Sequence, residues 1–434
     1  MRIAILGGDG RAYALGKRFR KEGHTVMFIP GNSACSWLGQ VFDVPLNKVS
    51  EVLDKLVEDD AIDLVVGTTL DFSLTGIIDR VKKVPVYGVP EKGALLEADR
   101  GYASAVCEKV GIKTPDCFVA SVDRAIEFVK GGTDPFVVKW DSLIGGTNVS
   151  VCESVEDTLH ELNRRVTENV MLQEKVKGVE VSFTVSVGQG GKSVGICTVF
   201  EHKRAYDGDM GPMTAEMGSL ILAGVPDVGM EMYDKLQPEL ELIGFTGMLD
   251  INCMLDVETG DLWFIEFTAR FGDPTTEIWV PMIDGDLGEL LYHWASGDLI
   301  EPKFRHACGI GVVVAGGGYP FKGQVKQGLP ITFKNGEIGQ ELVDLDWVVF
   351  MSAGLGPDGK PYSKGGRQLL VRGYGDTVEE ARKEAYGKVS EIRFREMFYR
   401  LDIGEKWLKG EREHCVRHGI IHDGLGGFDG WNER

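Results

Sequence analysis

With 434 residues, the chain is long enough for about three or four compact units, each with its own apolar core. Hydrophobic residues make up 43% and charged residues 26% of it, proportions that are typical of a folded globular protein and exclude a disordered or fibrous chain. The net charge of −19 would repel a phosphate backbone, so we predict no nucleic-acid partner.

Neither a membrane partner nor a secretion signal is predicted. No segment reaches about 18 uninterrupted apolar residues, and the N-terminal apolar run is short and is followed by glycines. The eight cysteines are scattered singly without a C-x-x-C pair, which favours free thiols in a reducing compartment. We therefore expect a cytoplasmic protein, a monomer or a homodimer, that acts on small molecules.

In chain order, residues 1–100 alternate short β-branched runs with helical stretches. Strands are predicted in RIAILGG, HTVMFIP, DLVVGTT and VPVYGVP, with helices near residues 11–22 and 49–58. Alternation of this kind is typical of a parallel sheet with right-handed crossovers. The first unit is therefore predicted to be a doubly wound α/β domain.

Residues 101–325 are predicted to form a second, mixed α+β unit. PFVVKWDSLIGGTNVSVCES is typical of a strand, a glycine-rich turn and another strand, and VETGD predicts a hairpin turn between two later strands. Residues 326–404 predict a smaller β-rich domain that is closed by one helix. Residues 405–434 form a C-terminal extension.

The first strand is followed by the turn GGDG and then by a helix. This arrangement directs backbone N–H groups and a helix N-terminus at one spot, which favours a phosphate. The dinucleotide fingerprint is incomplete, because Gly8 and Gly10 are followed by Tyr13 where a third glycine would stand. A tight turn that needs small residues explains the glycines equally well.

A second candidate phosphate site begins at the end of the strand PFVVK. Lys139 could neutralise a nucleotide phosphate, and Gly145 and Gly146 would let backbone amides fold over it. An exposed hairpin with a surface lysine is the alternative.

Two carboxylates stand in apolar runs that predict neighbouring strands. They are Asp250 in LDINCML and Glu266 in LWFIEFTARFG. Burial of a carboxylate is costly unless a cation or hydrogen bonds compensate it, so the pair predicts Mg²⁺ between these acids and nucleotide phosphates. Arg270 could instead supply the cation in a structural ion pair. The polar run EHKRAYDGDMGP favours the metal, because a purely structural pair leaves that run without a role.

HKRAYDGDMGP (202–212) and ARFGDPTTE (269–277) resemble the two most distinctive motifs of the glycinamide ribonucleotide synthetase family, and weaker similarity extends over residues 1–404. The resemblance implies an ATP-grasp fold with a small lobe over about residues 117–186. It implies a ligase that uses ATP and Mg²⁺, or Mn²⁺. In that family glycine is activated as an acyl phosphate and captured by the amine of phosphoribosylamine, with release of ADP and phosphate.

The resemblance also implies roles for individual residues. The contacts to ATP would come from Lys139, Gly145, Gly146, Gln173, Glu174, Lys175, Val176 and Glu180. The reacting groups would be lined by Lys203, Arg204, Asp207, Asp209, Arg270 and Asp273. The amino acid and the amine would be held by Gly8, Gly10, Thr68, Thr69, Thr214, Glu216, Pro274 and Thr275. The family would bind magnesium through Glu266. Asp250 stands where the family usually has no acid but resembles the first metal carboxylate of other ATP-grasp ligases, so we expect Asp250 and Glu266 to form the metal pair, with Thr268 as an auxiliary ligand.

Several positions depart from the family pattern. The family's N-T-G-G-M-G is here the run from Met213 to Gly218, and the asparagine two residues after the metal glutamate is Thr268. The substrates could therefore be another amino acid or another amine, joined in specialised biosynthesis. A nucleotide-binding regulator without catalysis is the alternative from another class.

The extension contains His414, His418 and His422, whose spacing of four would place them on one helix face. Together with Cys415 they could bind zinc. A solvated helix is the simpler interpretation, and docking over the active-site cleft is a third.

Overall fold

The computed structural model describes residues 1–140, 149–321 and 323–421. The N-terminal unit contains the elements β1 (Arg2–Gly7), α1 (Gly10–Lys21), β2 (Thr25–Pro30), β3 (Gln40–Val41), α2 (Val49–Glu58), β4 (Leu64–Gly67), α3 (Leu70–Leu74), α4 (Ile77–Arg80) and β5 (Val86–Tyr87). Its five strands form one parallel sheet in the order β3-β2-β1-β4-β5. The predicted doubly wound domain is confirmed.

Alternation along β1 explains why helices cover both faces of this sheet. Ile3 and Ile5 belong to the hydrophobic cluster on one face, whereas Ala4 and Leu6 belong to a separate cluster on the other. A parallel strand that is buried on both faces reads as a continuous apolar run, as RIAILG does.

Two helices lead from this unit into a small antiparallel sheet. The elements are α5 (Glu91–Ala98), α6 (Arg100–Val110), β6 (Cys117–Ser121), α7 (Val122–Lys130), β7 (Phe136–Trp140), β8 (Val149–Val151), α8 (Val155–Leu162) and β9 (Asn169–Glu174). The strand order is β6-β9-β7-β8. The last of these strands along the chain, β9, ends at Glu174. The small lobe was predicted to reach about residue 186, but the next strand belongs to another sheet.

That next sheet has nine strands in the part of the chain that the structure describes. The elements of its first part are β10 (Gly178–Val187), β11 (Ser193–Glu201), β12 (Arg204–Tyr206), β13 (Met210–Met213), β14 (Gly218–Ala223), α9 (Asp227–Leu242), β15 (Gly247–Asp256), β16 (Leu262–Thr268), α10 (Thr275–Trp279), β17 (Ile283–Asp284), α11 (Leu287–Ala295), β18 (Lys303–Phe304) and β19 (Cys308–Gly316). The predicted hairpin between β15 and β16 is present.

The C-terminal part of the chain adds strands to the same sheet. Its elements are β20 (Thr332–Phe333), α12 (Gly339–Asp344), β21 (Val348–Phe350), β22 (Gly354–Leu355), β23 (Pro361–Tyr362), β24 (Arg367–Gly375), α13 (Val378–Val389), β25 (Ile392–Arg393), β26 (Met397–Phe398) and α14 (Arg412–Arg417). The strands run in the order β16-β15-β10-β11-β14-β19-β24-β21, with β26 also paired to β19. The predicted β-rich unit therefore shares its sheet with the preceding lobe.

The mixed α/β and α+β class predicted from the sequence is confirmed. Among the helices of the described residues, none combines the length and the apolar character needed to cross a membrane.

Candidate active site

A lysine with little exposure lies at the centre of the polar cluster on the large sheet. The Nζ atom of Lys203 lies 2.6 Å from a carboxylate oxygen of Glu180. It lies 3.2 Å from oxygens of both Glu201 and Glu266. One ammonium group thus contacts three carboxylates, and carboxylate oxygens are the ligands that a divalent ion such as Mg²⁺ prefers.

Neighbouring strands present these three carboxylates. Glu180 lies on β10, Glu201 ends β11 and Glu266 lies on β16, with β15 between β10 and β16. Lys203 follows β11 and folds back over them. Glu201 begins the polar run EHKRAYDGDMGP but was given no role of its own, because the sequence alone does not show that the end of β11 lies beside β10.

The electrostatics fix the charge states of the cluster. Burial raises the pKa of Glu266, but Lys203 and Lys139 outweigh that effect and bring it to about 2. Burial raises the pKa of Glu201, with the charges of Glu180 and Glu266 adding to the rise and Lys203 opposing it. Burial lowers the pKa of Lys203, but the three carboxylates hold it well above its ordinary value. Lys203 is therefore charged and Glu266 is ionised at neutral pH.

Lys139 reaches the same place from the small sheet. It lies on β7, is only 5% exposed, and its Nζ donates to the carbonyl oxygen of Ile265 at 3.4 Å. Burial lowers the pKa of Lys139 to about 8, and Glu266 opposes this shift. The structure thus brings Lys139 and Glu266 together, as predicted, whereas Gly145 and Gly146 lie outside the described residues.

The residues predicted to flank the adenine follow one another at the junction of the two sheets. Gln173 is buried and Glu174 is exposed at the end of β9. Lys175 and Val176 lie in the short connection to β10, and Lys175 Nζ lies 2.5 Å from the carboxylate of Glu153. This connection leads directly to the strand that carries Glu180.

The two acids of the predicted metal pair lie on neighbouring strands but are not register partners. Asp250 lies opposite Thr268, and Glu266 lies opposite Asn252. Asp250 is 4% exposed, and burial raises its pKa to about 8 although Arg270 opposes the rise, so the carboxyl is largely protonated at neutral pH. Asn252, which sequence reasoning did not identify, is the polar side chain directly across from Glu266.

The alternative for Arg270, an ion pair with Asp250, is not the contact that forms. The Nε of Arg270 donates to a carboxylate oxygen of Glu97 at 3.2 Å. Glu97 lies on α5, far away in sequence, and its other oxygen accepts the N–H of Ala269 at 2.8 Å. Arg270 therefore fixes the loop after β16 to α5.

Asp273, in the loop after β16, forms an ion pair with a residue from the C-terminal part of the chain. Its Oδ2 lies 2.8 Å from a guanidinium nitrogen of Arg367, at the start of β24. Pro274 follows directly and precedes α10, which begins at the buried Thr275. Arg367 was not identified from the sequence, because 94 residues separate it from Asp273.

The acids of the DGD turn face the C-terminal segment. Asp207 accepts the backbone N–H of Leu401 at 2.7 Å. Asp209 lies 2.9 Å from a guanidinium nitrogen of Arg400 and 2.5 Å from the Nζ of Lys406. These two predicted catalytic side chains are thus engaged in holding the turn in place.

Arg204 and Thr214 support the loop around Lys203. Arg204 donates to the carbonyl oxygen of Val151 in β8 at 3.3 Å and so connects the large sheet to the small one. The hydroxyl of Thr214 donates to the carbonyl oxygen of Lys203 at 2.7 Å.

Asp9 occupies the helix N-terminus where the sequence predicts a phosphate. Its carboxylate accepts the backbone N–H groups of Arg11 at 3.1 Å and Ala12 at 3.4 Å. The chain thus places its own anion at the start of α1, between the predicted residues Gly8 and Gly10.

The two threonines after β4 that were predicted to contact the substrates differ in burial. Thr68 is fully buried, and its hydroxyl donates to the carbonyl oxygen of Leu6 at 2.9 Å. Thr69 is partly buried and precedes α3.

Glu216 stands where the family pattern has a glycine, and its backbone shows why glycine suits the position. Its φ is +86°, in the left-handed region that L-residues rarely adopt. The side chain is buried, it accepts a hydrogen bond from Ser219, and burial raises its pKa well above the ordinary value. A strained backbone and a protonated carboxyl therefore coincide at this loop.

Glu216→Gly is expected to raise the free energy of unfolding by about 1 kcal/mol, because glycine adopts this φ without strain. Urea denaturation of both proteins measures the difference. Ala215→Gly is the matched control, and its expected effect is a loss of roughly 0.5–1 kcal/mol, since no positive φ favours glycine there. Equal losses for both variants would show that the backbone at Glu216 stores no strain.

The zinc hypothesis for the extension gains no support from the described residues. Cys415 is fully buried, and burial raises the pKa of its thiol to about 12, which disfavours a thiolate. The Nε2–H of His418 donates to the carbonyl oxygen of Val257 at 3.0 Å. His422 lies outside the described residues.

Comparison with known proteins places this geometry in a family. Three models of phosphoribosylglycinamide synthetase match the chain in order: the N domain at residues 1–97, the ATP-grasp (A) domain at 98–276 and the C domain at 309–406. The phosphoribosylamine–glycine ligase of Thermotoga maritima is 30% identical over 418 residues, which cover 93% of this chain and 99% of the relative. The chain belongs to the phosphoribosylglycinamide synthetase family. The resemblance inferred from the two motifs is confirmed, and the chain is an ATP-grasp carbon–nitrogen ligase.

Solved structures agree with this membership of the phosphoribosylglycinamide synthetase family. The crystal structure of the Thermotoga maritima phosphoribosylamine–glycine ligase matches with a TM-score of 0.76 at 29% identity, and covers 93% of this chain and all of that one. The biotin carboxylase domain of Hydrogenobacter thermophilus 2-oxoglutarate carboxylase, in complex with MgADP, matches 92% of this chain and 91% of that one with a TM-score of 0.64 at 13% identity, which shows the fold alone.

The segment that matches the ATP-grasp domain of the family contains Lys139, Glu180, Lys203 and Glu266. The loop carrying Asp273 lies in the same match, whereas its partner Arg367 lies in the C domain match. Arg367, which lies in the segment that matches the C domain, thus contacts the loop that follows β16, the strand of Glu266.

Proposed function

We propose that the chain joins glycine to phosphoribosylamine and forms glycinamide ribonucleotide, ADP and phosphate. The observation that carries this proposal is the placement of Lys139, Lys203 and Glu266 around one spot between two sheets, within an ATP-grasp match. Relatives that align over almost their whole length and carry the name phosphoribosylamine–glycine ligase support the choice of substrates.

Mg²⁺ fits the side chains of this cluster. Glu266 is ionised and its side chain is 41% exposed, so a hydrated ion can reach it. Carboxylate oxygens are the ligands that Mg²⁺ prefers, and Mn²⁺ accepts the same set. We propose that Glu266 and Asp250 hold the ion, that Thr268 is an auxiliary ligand, and that Glu180 faces the ribose. When bound, the ion neutralises charge on the nucleotide phosphates.

The reaction has two steps. A carboxylate oxygen of glycine attacks the γ-phosphorus of ATP, the bond from that phosphorus to the bridging oxygen breaks, and ADP leaves. The nitrogen of phosphoribosylamine then attacks the acyl carbon, the bond to the phosphate oxygen breaks, and the nitrogen loses a proton as the amide forms. Lys139 and Lys203 neutralise the phosphates and position them, which supplies most of the catalysis for a transfer of this kind.

The remaining predicted residues surround the substrates in this proposal. Thr214 and Glu216 lie in the loop after Lys203 and face the amino acid. The turn from Gly8 to Gly10, together with Thr69, lies on the side of the amine. Gln173 to Val176 lie beside the adenine.

A second candidate differs only in the amino acid. Glu216 fills space that the family pattern leaves to a glycine, and its carboxyl group is buried beside Ser219. A changed pocket at this loop favours an amino acid other than glycine.

The test is ADP release with purified protein, ATP, Mg²⁺ and pairs of substrates, with mass detection of the product. Glycine plus freshly generated phosphoribosylamine is the first pair, and each partner is then replaced separately by other amino acids and amines. Glycinamide ribonucleotide as the best product supports the proposal. Faster turnover with another pair replaces the substrates but keeps the chemistry, and ATP binding without turnover for every pair favours a regulator.

A further inference from the structure

The extension is packed against the body of the protein although it lies beyond the family match. The C domain match ends at residue 406, and the described part of the extension continues to residue 421. Trp407 is 4% exposed, and Cys415, Ile420 and Ile421 are buried in the main hydrophobic cluster. A segment that buries this much apolar surface is part of the fold rather than a solvated tail.

The extension packs against β11, the strand that carries Glu201. The ring of Trp407 packs on the ring of Phe200, with centroids 4.7 Å apart. Phe200 directly precedes Glu201 on β11, and successive side chains of a strand point to opposite faces. Trp407 therefore supports Phe200, and the next residue of the strand, Glu201, contacts Lys203 on the other face.

The chain just before Trp407 is fixed to the residues around Lys203. The N–H of Gly404 donates to the Nε2 of His202 at 3.2 Å, and Lys406 lies 2.5 Å from Asp209. The segment that leads into the extension thus contacts residues 202 and 209, close to the two ends of the stretch around Lys203.

The far end of the extension reaches the hairpin of the metal strand. The Nε2–H of His418 donates to the carbonyl oxygen of Val257 at 3.0 Å, and its ring lies against Gly260 at the hairpin turn. This hairpin joins β15 to β16, the strand of Glu266. The extension therefore connects the strand of Glu201 to the strand of Glu266.

Glu411, in the middle of the extension, is partly buried. Burial raises the pKa of Glu411 to about 6, Lys406 opposes this rise, and the charges of Asp209 and Glu180 add to it.

We infer that the extension is a positioning element of the nucleotide site and that Trp407 is its main contact. By bracing β11 against the β15–β16 hairpin, it holds Glu180, Glu201 and Glu266 at the distances at which Lys203 contacts all three. This inference rests on the proposed nucleotide site but not on the identity of the amino acid or the amine. Its test therefore measures binding of ADP with Mg²⁺ and no other substrate.

The experiment compares the dissociation constants for MgADP of the wild type, Trp407→Ala, Trp407→Phe and Lys409→Ala by calorimetry. Loss of the indole should weaken binding of MgADP by about tenfold, because small displacements of positioning groups have large effects on an ordered site. Trp407→Phe should retain most of the affinity, since an aromatic ring still packs on Phe200. Lys409 is the matched control on the same segment, because it is exposed and its ion pair is with Glu405.

Unchanged affinity for MgADP in a folded Trp407→Ala protein would overturn the inference. If that variant does not fold, His418→Ala decides, since it removes one hydrogen bond to the hairpin and leaves the apolar contacts in place. A weakening of about threefold then supports the bracing role, and wild-type affinity refutes it. A substrate assay that fails for glycine affects the proposed function alone, because ADP binding does not depend on it.

Discussion

Replacing Lys203 by methionine is expected to lower kcat by at least about 100-fold and the free energy of unfolding by about 3 kcal/mol. The variant leaves Glu180, Glu201 and Glu266 without the cation that contacts all three. Removal of one partner from a buried charge network is costly, because the remaining charges stay desolvated and repel one another. ADP release and urea denaturation measure the two effects.

The stability loss of this variant should depend on pH in a defined direction. A carboxyl whose pKa is raised by folding adds stability at low pH, and this contribution is lost as the pH rises through the raised pKa. The pKa of Glu201 is already raised by burial, and it rises further without Lys203. The deficit of Lys203→Met should therefore be smallest at acidic pH and grow towards neutral pH.

Lys21→Met is the matched control for this effect. Lys21 pairs with Asp346, and both side chains are 66% exposed, so the expected loss is below about 1 kcal/mol and nearly independent of pH. If Lys203→Met were as stable and as active as this control, Lys203 would have neither the structural nor the catalytic role assigned to it.

Glu266→Gln is expected to abolish ADP formation, with a loss of about 1,000-fold or more, while the protein stays folded. Glutamine keeps the size of the side chain but removes the charge that we assign to metal binding. The side chain is 41% exposed, so the change should cost little stability. ADP release reports the activity, and circular dichroism reports the fold.

Glu258→Gln provides the control for Glu266, because Glu258 is exposed at the tip of the same hairpin. Its turnover should equal that of the wild type. Undiminished turnover of Glu266→Gln would remove Glu266 from the mechanism and leave Asp250 and Asn252 as the polar side chains of β15 to be tested.

Local patterns in the sequence were sufficient for much of the fold. The apolar runs RIAILG and LVVG predicted a parallel sheet, because strands buried on both faces lack polar alternation. The turn VETGD predicted the β15–β16 hairpin, where Asp256 accepts the backbone N–H groups of Glu258 and Thr259. These features depend on residues that are neighbours in sequence.

The arrangement of the site depends on long-range pairing and was only partly predictable. The sequence predicted that Asp250 and Glu266 lie on adjacent strands, but a register irregularity after Asn252 accompanies the pairing of Glu266 with Asn252. Glu201 was missed because the sequence does not show that the end of β11 lies beside β10, and Arg367 was missed because its partner Asp273 is 94 residues away. A pattern within one strand shows which face a side chain occupies, whereas its partner is set by tertiary packing.

The DGD turn illustrates the same limit. Its acids suggested substrate contacts, yet Asp207 and Asp209 bind Leu401, Arg400 and Lys406. A conspicuous run of charges can stabilise a turn as well as bind a ligand, and only the position of the C-terminal segment distinguishes the two.

In the proposed reaction, a carboxylate of glycine attacks the γ-phosphorus of ATP at the cluster of Lys139, Lys203 and Glu266. Glycine labelled with ¹⁸O in its carboxylate tests it directly, with the released phosphate analysed by mass spectrometry. An acyl phosphate intermediate transfers a single labelled oxygen from each glycine to the phosphate, because the amine breaks the bond between the acyl carbon and that oxygen. Phosphate that carries no label, formed together with the amide, would contradict the account.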